Sequence, residues 1–356
     1  METVAITPCD SYDDIEALKG ILNASFQEIG WDPHDARVLL KPNLLSAKTP
    51  EKAVTTHPAI VRAIAELLKD HLCHVFVGDS PGYGSQAKVL GSSGVMNVIR
   101  YLGLGIAAFN NNIIKESLNG ISPYRRFLFG QDPQDFDMVV NLPKLKTHTM
   151  MGLTLGVKNT FGFIHAYEKA KWHLRAGQDR ALFASILIDI HRLVKPSITV
   201  LDGILGMDGD GPSSGRPRKL GMLAMSKDAF ALDESIENIL PLTYPTPTTY
   251  LARTHNLIPD YRITGQAPAL RDFKMPKTMN TDFNLPTLAR RVLKDIFLKK
   301  PRLDSKLCKA CMICVRVCPA HALLTRPDAK EPIFDYHRCI RCYCCQEMCP
   351  EGAVKV

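Results

Sequence analysis

The strongest constraint on this chain is a cysteine run that occurs twice near its C-terminus. Cys308, Cys311, Cys314 and Cys318 are followed by Pro319; Cys339, Cys342, Cys345 and Cys349 are followed by Pro350. Each run reads C-x2-C-x2-C-x3-C-P, the spacing that ligates cubane iron–sulfur clusters. Three thiolates on a tight loop wrap one face of a cluster, and the fourth, a short helical turn later, reaches the other cluster. Cys308, Cys311, Cys314 and Cys349 are therefore expected to hold one [4Fe-4S] cluster, and Cys339, Cys342, Cys345 and Cys318 a second. Paired C-x2-C units also build tetrahedral zinc sites. Zinc, however, would need neither the third cysteine at the same interval nor the C-x3-C-P ending in both copies. The pattern predicts a small metal-stapled module that handles single electrons.

At 356 residues the chain has room for a much larger second unit with its own core. The other cysteines, Cys9, Cys73 and Cys344, are too scattered for a disulfide framework, which points to a reducing compartment. The start METVAITPCDSYDD lacks the basic and apolar stretches of a signal peptide, and no apolar run reaches the length of a membrane span. A cytoplasmic location is expected. The formal charge of +8, from 44 basic and 36 acidic residues, does not mark a nucleic-acid binder. Two clusters with their thiolates would lower it to about +4. The densest basic stretch, Lys299, Lys300 and Arg302, suits a solvated helix end. The positive excess fits a local field for an anionic small molecule.

Three segments follow from the patterning: an α/β domain over 1–284, a connecting helix over 285–301 and the cysteine module over 302–356. LPTLARRVLKDIFLKK has apolar residues at helical spacing, with Pro286 suited to a helix start and Pro301 to its end. The preceding residues alternate strand and helix signals, which predicts a mostly parallel open sheet with flanking helices. A strand is expected at VLLKPNLL (Val38 to Leu45), then a helix capped by Thr56 with Pro58 in its first turn. Further strands are expected at HVFV, Ile106–Phe109, DMVVNL and ITVLDG, with helices at about 92–102 and Leu182–Val194.

Polar residues cluster just past these strands: Lys41 and Asn43, Asp79 and Ser80, Lys144, Lys146 and His148, then Asp202 and Asp208. In open α/β sheets the crevice at the carboxyl ends of the strands is where ligands bind. KLKTHTMMGLTLGVKNTFG adds Lys158 and Asn159 across a glycine-rich stretch. Lysines converging there bind carboxylate or phosphate as point charges. Lys41, Asn43, Lys144, Lys158, Asn159 and Asp202 are the expected substrate contacts. Lys146 and His148 are the expected catalytic pair, with His148 a proton donor near neutral pH; an ordinary hydrogen-bonded histidine is the competing reading. GMDGDGPSSGRPRK lacks the closing glutamate of a calcium loop. It reads either as a lid bringing Arg216 and Arg218 to an anion or as a surface loop. No G-x4-G-K-[ST] loop is present, and Gly103-Leu-Gly105 precedes a strand, the reverse of the order a dinucleotide fingerprint needs.

KPNLL, GDSPG, NLPKLKTHTMMGLTLGVKN, LDGILGMDGDGP and CIRCYCCQEMCP together resemble the domain-of-unknown-function 362 family with a C-terminal two-cluster ferredoxin module. The resemblance covers nearly the whole chain. It implies an α/β domain joined to a small α+β bacterial-type ferredoxin domain with two [4Fe-4S] clusters, and it names no substrate. The expected function is an iron–sulfur oxidoreductase passing single electrons to an anionic small molecule in the α/β cleft. Its partner is an external low-potential electron donor or acceptor protein. The alternatives are a non-enzymatic electron-transfer or assembly protein that docks a redox partner, and a non-redox enzyme with structural clusters.

Overall fold

The computed structural model describes residues 1–270, 272–280, 299–327 and 329–356. The connecting helix expected over 285–301 lies outside them, apart from its last residues. The α/β part is built on strands β1 (Glu2–Pro8), β2 (Arg37–Pro42), β3 (His74–Val77), β4 (Gly105–Ile106), β5 (Ile113–Glu116) and β6 (Arg126–Phe129). These are followed by β7 (Met138–Leu142), β8 (Lys144–His148), β9 (Gly152–Thr154), β10 (Ile198–Asp208), β11 (Arg216–Ser226) and β12 (Tyr261–Gly265). Around them lie helices α1 (Ile15–Glu28), α2 (Pro58–Asp70), α3 (Gln86–Ser92), α4 (Val95–Leu102), α5 (Gly156–Asn159) and α6 (Ala166–Ala176). The last helices of this part are α7 (Arg180–Val194), α8 (Ala229–Ile239) and α9 (Pro247–Thr254).

The main sheet runs β12-β1-β11-β10-β7-β2-β3-β4, with β8 and β9 branching from β10. Every pairing from β10 through β7, β2 and β3 to β4 is parallel; β11 pairs antiparallel with both β1 and β10. Strand β2 shows why the sheet is covered on both faces. Val38 and Leu40 pack into the cluster formed with α1, α2 and α4, and Leu39 between them packs with α7 on the other face. All are fully buried, as the period-2 geometry of a central strand requires. The same alternation carries Lys41 to the α7 face, into the protein rather than into water.

Local chemistry sets the helix ends. The N-cap of α2 is His57, not the expected Thr56: its Nδ1 accepts from the Ala59 N–H at 3.2 Å. The Thr56 hydroxyl instead donates to the Leu142 carbonyl at 2.6 Å, tying the loop after β2 to the end of β7. The short α5 is capped from another element, because the Asp233 carboxylate of α8 accepts from Gly156 and Val157 N–H at 2.7 and 2.9 Å. The helix expected at about 92–102 is α4; it begins at Val95, after Gly94, whose φ of 78° a side chain would resist, and a separate helix α3 precedes it.

Helix α7 buries His191 against Phe230, and burial pushes its imidazole down to about 4. A histidine with a folded pKa near 4 and an unfolded one near 6.5 binds fewer protons folded than unfolded in that window. Its neutral form is fully accommodated above about pH 6.5, and up to about 3 kcal/mol is lost as pH falls toward 4. His191→Leu is expected to flatten the acid limb of a urea-midpoint-versus-pH curve. An unchanged slope between pH 6.5 and 4 would contradict this.

Candidate functional site

The C-terminal module consists of two loops of like shape. Ala310 and Met312 in the first, and Arg341 and Tyr343 in the second, take left-handed backbone angles of 51–61°. These turns curl each loop inward and aim its thiols at one point. Short helices Ile313–Arg316 and Cys344–Glu347 then carry the chain to Cys318 and Cys349. Cys308, Cys311, Cys314 and Cys349 line one void; Cys339, Cys342, Cys345 and Cys318 line another. The crossed sets expected from the spacing are thus the sets brought together in space.

The donors fit an iron–sulfur cluster. Burial, and behind it the neighbouring Cys349, Cys311 and Cys308 thiols, push Cys314 up to about 11. A thiol so buried becomes a thiolate when it binds a compensating metal centre. Backbone N–H groups already point at the sulfurs: Ala310 at Cys308 Sγ (3.4 Å), Ala322 at Cys318 Sγ (3.2 Å) and Ala353 at Cys349 Sγ (3.2 Å). Such bonds set the potential of bound clusters. Cys344 borders both the second void and a larger cavity.

The second loop docks on the carboxyl ends of the sheet strands. Gln346 accepts from the Thr149 hydroxyl at 2.9 Å and donates to the Asp210 carbonyl at 2.7 Å. Lys48 bonds the Pro350 carbonyl. Met348 lies against Gly82, where an added Cβ would come within 2.8 Å of its Cε. Between these contacts Glu347 is buried, with its Oε2 3.7 Å from His148 Nε2.

This docking closes a cavity of about 990 Å³. Its walls include Asn43, Asp79, Lys158, Asn159, Lys169, His173, Arg316, Cys344 and Glu347. The volume is at the upper end for a small-molecule site, of order 300–1,000 Å³. Of the expected substrate contacts, Asn43, Lys158 and Asn159 are on the wall, and Asn43 Nδ2 donates to Asn159 Oδ1 at 2.9 Å. Lys41 stands behind it, ion-paired to Asp79 at 2.8 Å. Gly162 lets them meet, since a Cβ there would overlap both the Asp79 carboxylate and the Lys41 ammonium.

Lys144 and Asp202 do not reach the cavity. They pair with each other at 2.8 Å, fully buried, and Tyr12 bridges them, donating to Asp202 Oδ1 at 2.6 Å and accepting from Lys144 at 3.0 Å. Asp202 also accepts from the His57 N–H at 2.9 Å, so this group locks the loops after β1 and β2 onto the sheet. β8 pairs with β10 at Lys144–Asp202 and again at Lys146–Met207, with a register shift between the two, so Lys144 and Asp202 stand side by side on neighbouring strands.

The expected catalytic pair lies one layer behind the wall. Lys146 donates to Asn43 Oδ1 at 3.1 Å and to the Val54 carbonyl, and burial lowers its pKa to about 7. His148 Nδ1 accepts from Met150 and Met151 N–H, and burial followed by the Lys158 charge lowers its pKa to about 4. Its neutral imidazole is therefore the form present at pH 7, so it is not an imidazolium donor there. Of the two readings of GMDGDGPSSGRPRK, a lid or a surface loop, the structure has a loop joining β10 to β11. Arg216 and Arg218 are held by Asp208 at 2.9 and 3.1 Å, because the hairpin register sets Arg216 directly opposite it.

Sequence reasoning missed Lys169, His173, Arg316 and Glu347. Ala166, Lys169, Ala170 and His173 all line the cavity from one face of α6, and that i, i+3, i+4, i+7 spacing was the available signal. Burial lowers Lys169 to about 8 and His173 to about 4, and it lowers Lys158 against the opposing pull of Glu347. Burial pushes Glu347 up, but His148, Lys158 and His173 together hold it well below the usual carboxylate range. One ionised carboxylate thus faces Lys158, Lys169 and two imidazoles that are neutral at pH 7, and the positive field of the lysines suits an anion.

Comparison with known proteins agrees with this architecture. Residues 38–236 match the family described as Domain of unknown function (DUF362), and residues 300–350 match a 4Fe-4S dicluster domain. A thylakoid-associated protein of Synechocystis sp. is 35% identical over 271 residues, covering 74% of this chain and 84% of that protein. Among the described residues no helix is long and apolar enough to cross a membrane. The chain belongs to the DUF362 family and carries a 4Fe-4S dicluster domain at its C-terminus.

Proposed function

We propose that this chain is an iron–sulfur oxidoreductase that transfers electrons to an anionic small molecule held in the cavity between its two parts. One observation carries the reading. The cavity is walled on one side by Cys344 and Glu347 of the second cysteine run, and on the other by Lys158 and Lys169. When bound, clusters of this type supply single electrons.

The remaining tasks belong to side chains. Lys158, Lys169 and Arg316 bind the carboxylate or phosphate of the substrate. Lys169, whose pKa burial lowers to about 8, gives up a proton near neutral pH and so helps balance the electrons delivered. Lys146 fixes Asn43, which with Asn159 orients the substrate. Phe109, Phe161 and Tyr83 give the same cavity apolar walls for a substrate with an organic body.

The reductant is an external one-electron carrier protein, and exposure favours the first run as the place it meets the chain. Cys311 is exposed and Cys308 half-buried, whereas Cys339, Cys342, Cys345 and Cys349 are buried. Exposed Lys306 and Lys309 beside them suit an acidic partner. A reducing cytoplasmic setting fits a chain whose eleven cysteines are all free of disulfides.

The test is anaerobic. Chemically reduced, cluster-loaded protein is mixed with carboxylate- and phosphate-bearing metabolites, and reoxidation is followed by visible absorption. Saturable reoxidation by one anionic compound, with its reduced product recovered, is the expected result. Reoxidation that is equally fast with uncharged analogues, or that never saturates, would overturn the proposal.

A further inference from the structure

At the opposite edge of the sheet, where β2 and β3 begin, two loops bring a carboxylate and two imidazoles together. Asp32 Oδ1 lies 3.0 Å from His34 Nε2 and 3.5 Å from His71 Nδ1. All three donor atoms lie within 4.8 Å of one another. The two rings approach to 4.6 Å between centroids. From this geometry we infer a divalent transition-metal site, of the zinc class, formed by Asp32, His34 and His71.

The separations suit coordination. Ligand atoms about 2.0–2.2 Å from a tetrahedral zinc are separated from one another by roughly 3.3–3.5 Å. Two imidazoles and one carboxylate, with the remaining position left to water, form a donor set that zinc, cobalt and nickel accept and that calcium and magnesium do not favour. His71 Nδ1 is buried and has no hydrogen-bond partner, so its lone pair or proton is unsatisfied unless something else meets it. A cation between it and Asp32 does so.

The backbone holds the donors in place without the metal. The Asp35 N–H bonds the His71 carbonyl at 3.1 Å, and the His74 N–H bonds the Ala36 carbonyl at 2.8 Å. Asp35 and Leu72 both adopt left-handed angles, φ 43° and 60°, which turn each loop back toward the other. A cavity of about 280 Å³, bordered by Asn23, Trp31, Asp32 and His71, leaves room for water on the ion. Bound there, the ion clamps the α1–β2 loop to the end of α2. It plays no part in the chemistry of the cysteine module, whose loops dock at the other ends of the strands.

The test uses the full, cluster-loaded protein under anaerobic conditions, so that the module's thiols are already committed to iron. Cobalt(II) is titrated into the wild type and into the His34→Ala, His71→Ala double variant, and each is also melted with and without added zinc. The wild type is expected to take up one equivalent more than the variant. Its ligand-field bands should lack thiolate charge-transfer absorption, and zinc should raise its melting temperature alone. His34→Ala by itself is expected to weaken uptake by at least about tenfold. Equal uptake by wild type and double variant would overturn the assignment, as would a thiolate signature on the added cobalt. Both histidines are partly exposed, at 62% and 32%, so the substitutions leave the core intact.

Discussion

Cys345→Ala is expected to cost at least about half of the bound iron and, with it, the folded state of the module. Cys345 is fully part of the module's small apolar cluster, which otherwise contains Cys314, Leu323, Cys349, Ala353 and Val354. So little apolar surface cannot hold a unit of this size without a staple, and the metal–thiolate bonds provide it. Loss of the staple also removes the roof of the cavity, because Gln346, Glu347 and Met348 follow Cys345 directly and make the contacts to Thr149, Asp210 and Gly82. Turnover should fall to background. The neighbouring Cys344→Ala separates ligation from mere burial: it should keep full iron. Cys349→Ala should damage the centre held by Cys308, Cys311 and Cys314, not the one beside the cavity. Iron and sulfide analysis with limited proteolysis reads all of these. Full iron in Cys345→Ala, or equal loss in Cys344→Ala, would contradict the crossed donor sets.

Lys158→Met is expected to lower turnover by about 100-fold or more while leaving iron content and visible absorption unchanged. Lys158 lies on the cavity wall with Glu347 as its main counter-charge, and burial lowers its pKa. Its ammonium is thus the desolvated charge best placed for an incoming anion, and removing a partner of a buried charge pair typically costs about 2–5 kcal/mol. Methionine has a similar length, so the cavity keeps its shape. Glu347 keeps Lys169 as a counter-charge on the same cavity wall, which limits the damage to folding. Lys158→Arg should restore part of the activity by restoring the charge. Steady-state reoxidation kinetics, with a melting curve on each variant, separate the outcomes. Equal activity in Lys158→Met and wild type would remove this residue from the site.

How much was legible varied with the range of the interaction. The strand at Val38 to Pro42 and the helix ending at Val194 were readable because hydrophobic periodicity is a local property. Thr56 failed as a cap because the Leu142 carbonyl, 86 residues away, takes its hydroxyl. Lys144 and Lys146 looked equivalent as neighbours on one strand face. They part because one meets Asp202 and Tyr12 and the other meets Asn43 and Val54, partners set by strand crossovers. Arg216 and Arg218 looked like free anion contacts, and the hairpin register spends both on Asp208.

The sequence by itself marked three thiols of each expected donor set, because a C-x2-C-x2-C loop converges them within seven consecutive residues, whereas the fourth comes from the other run. It also determined a parallel α/β sheet with polar strand ends. Only the tertiary structure decided which of those ends face a ligand. The cavity exists because Gln346 bonds Thr149 across 197 residues and carries Glu347 into a ring of basic groups. Where buried charges sit depends on which other charges fold against them, and no spacing within one segment encodes that.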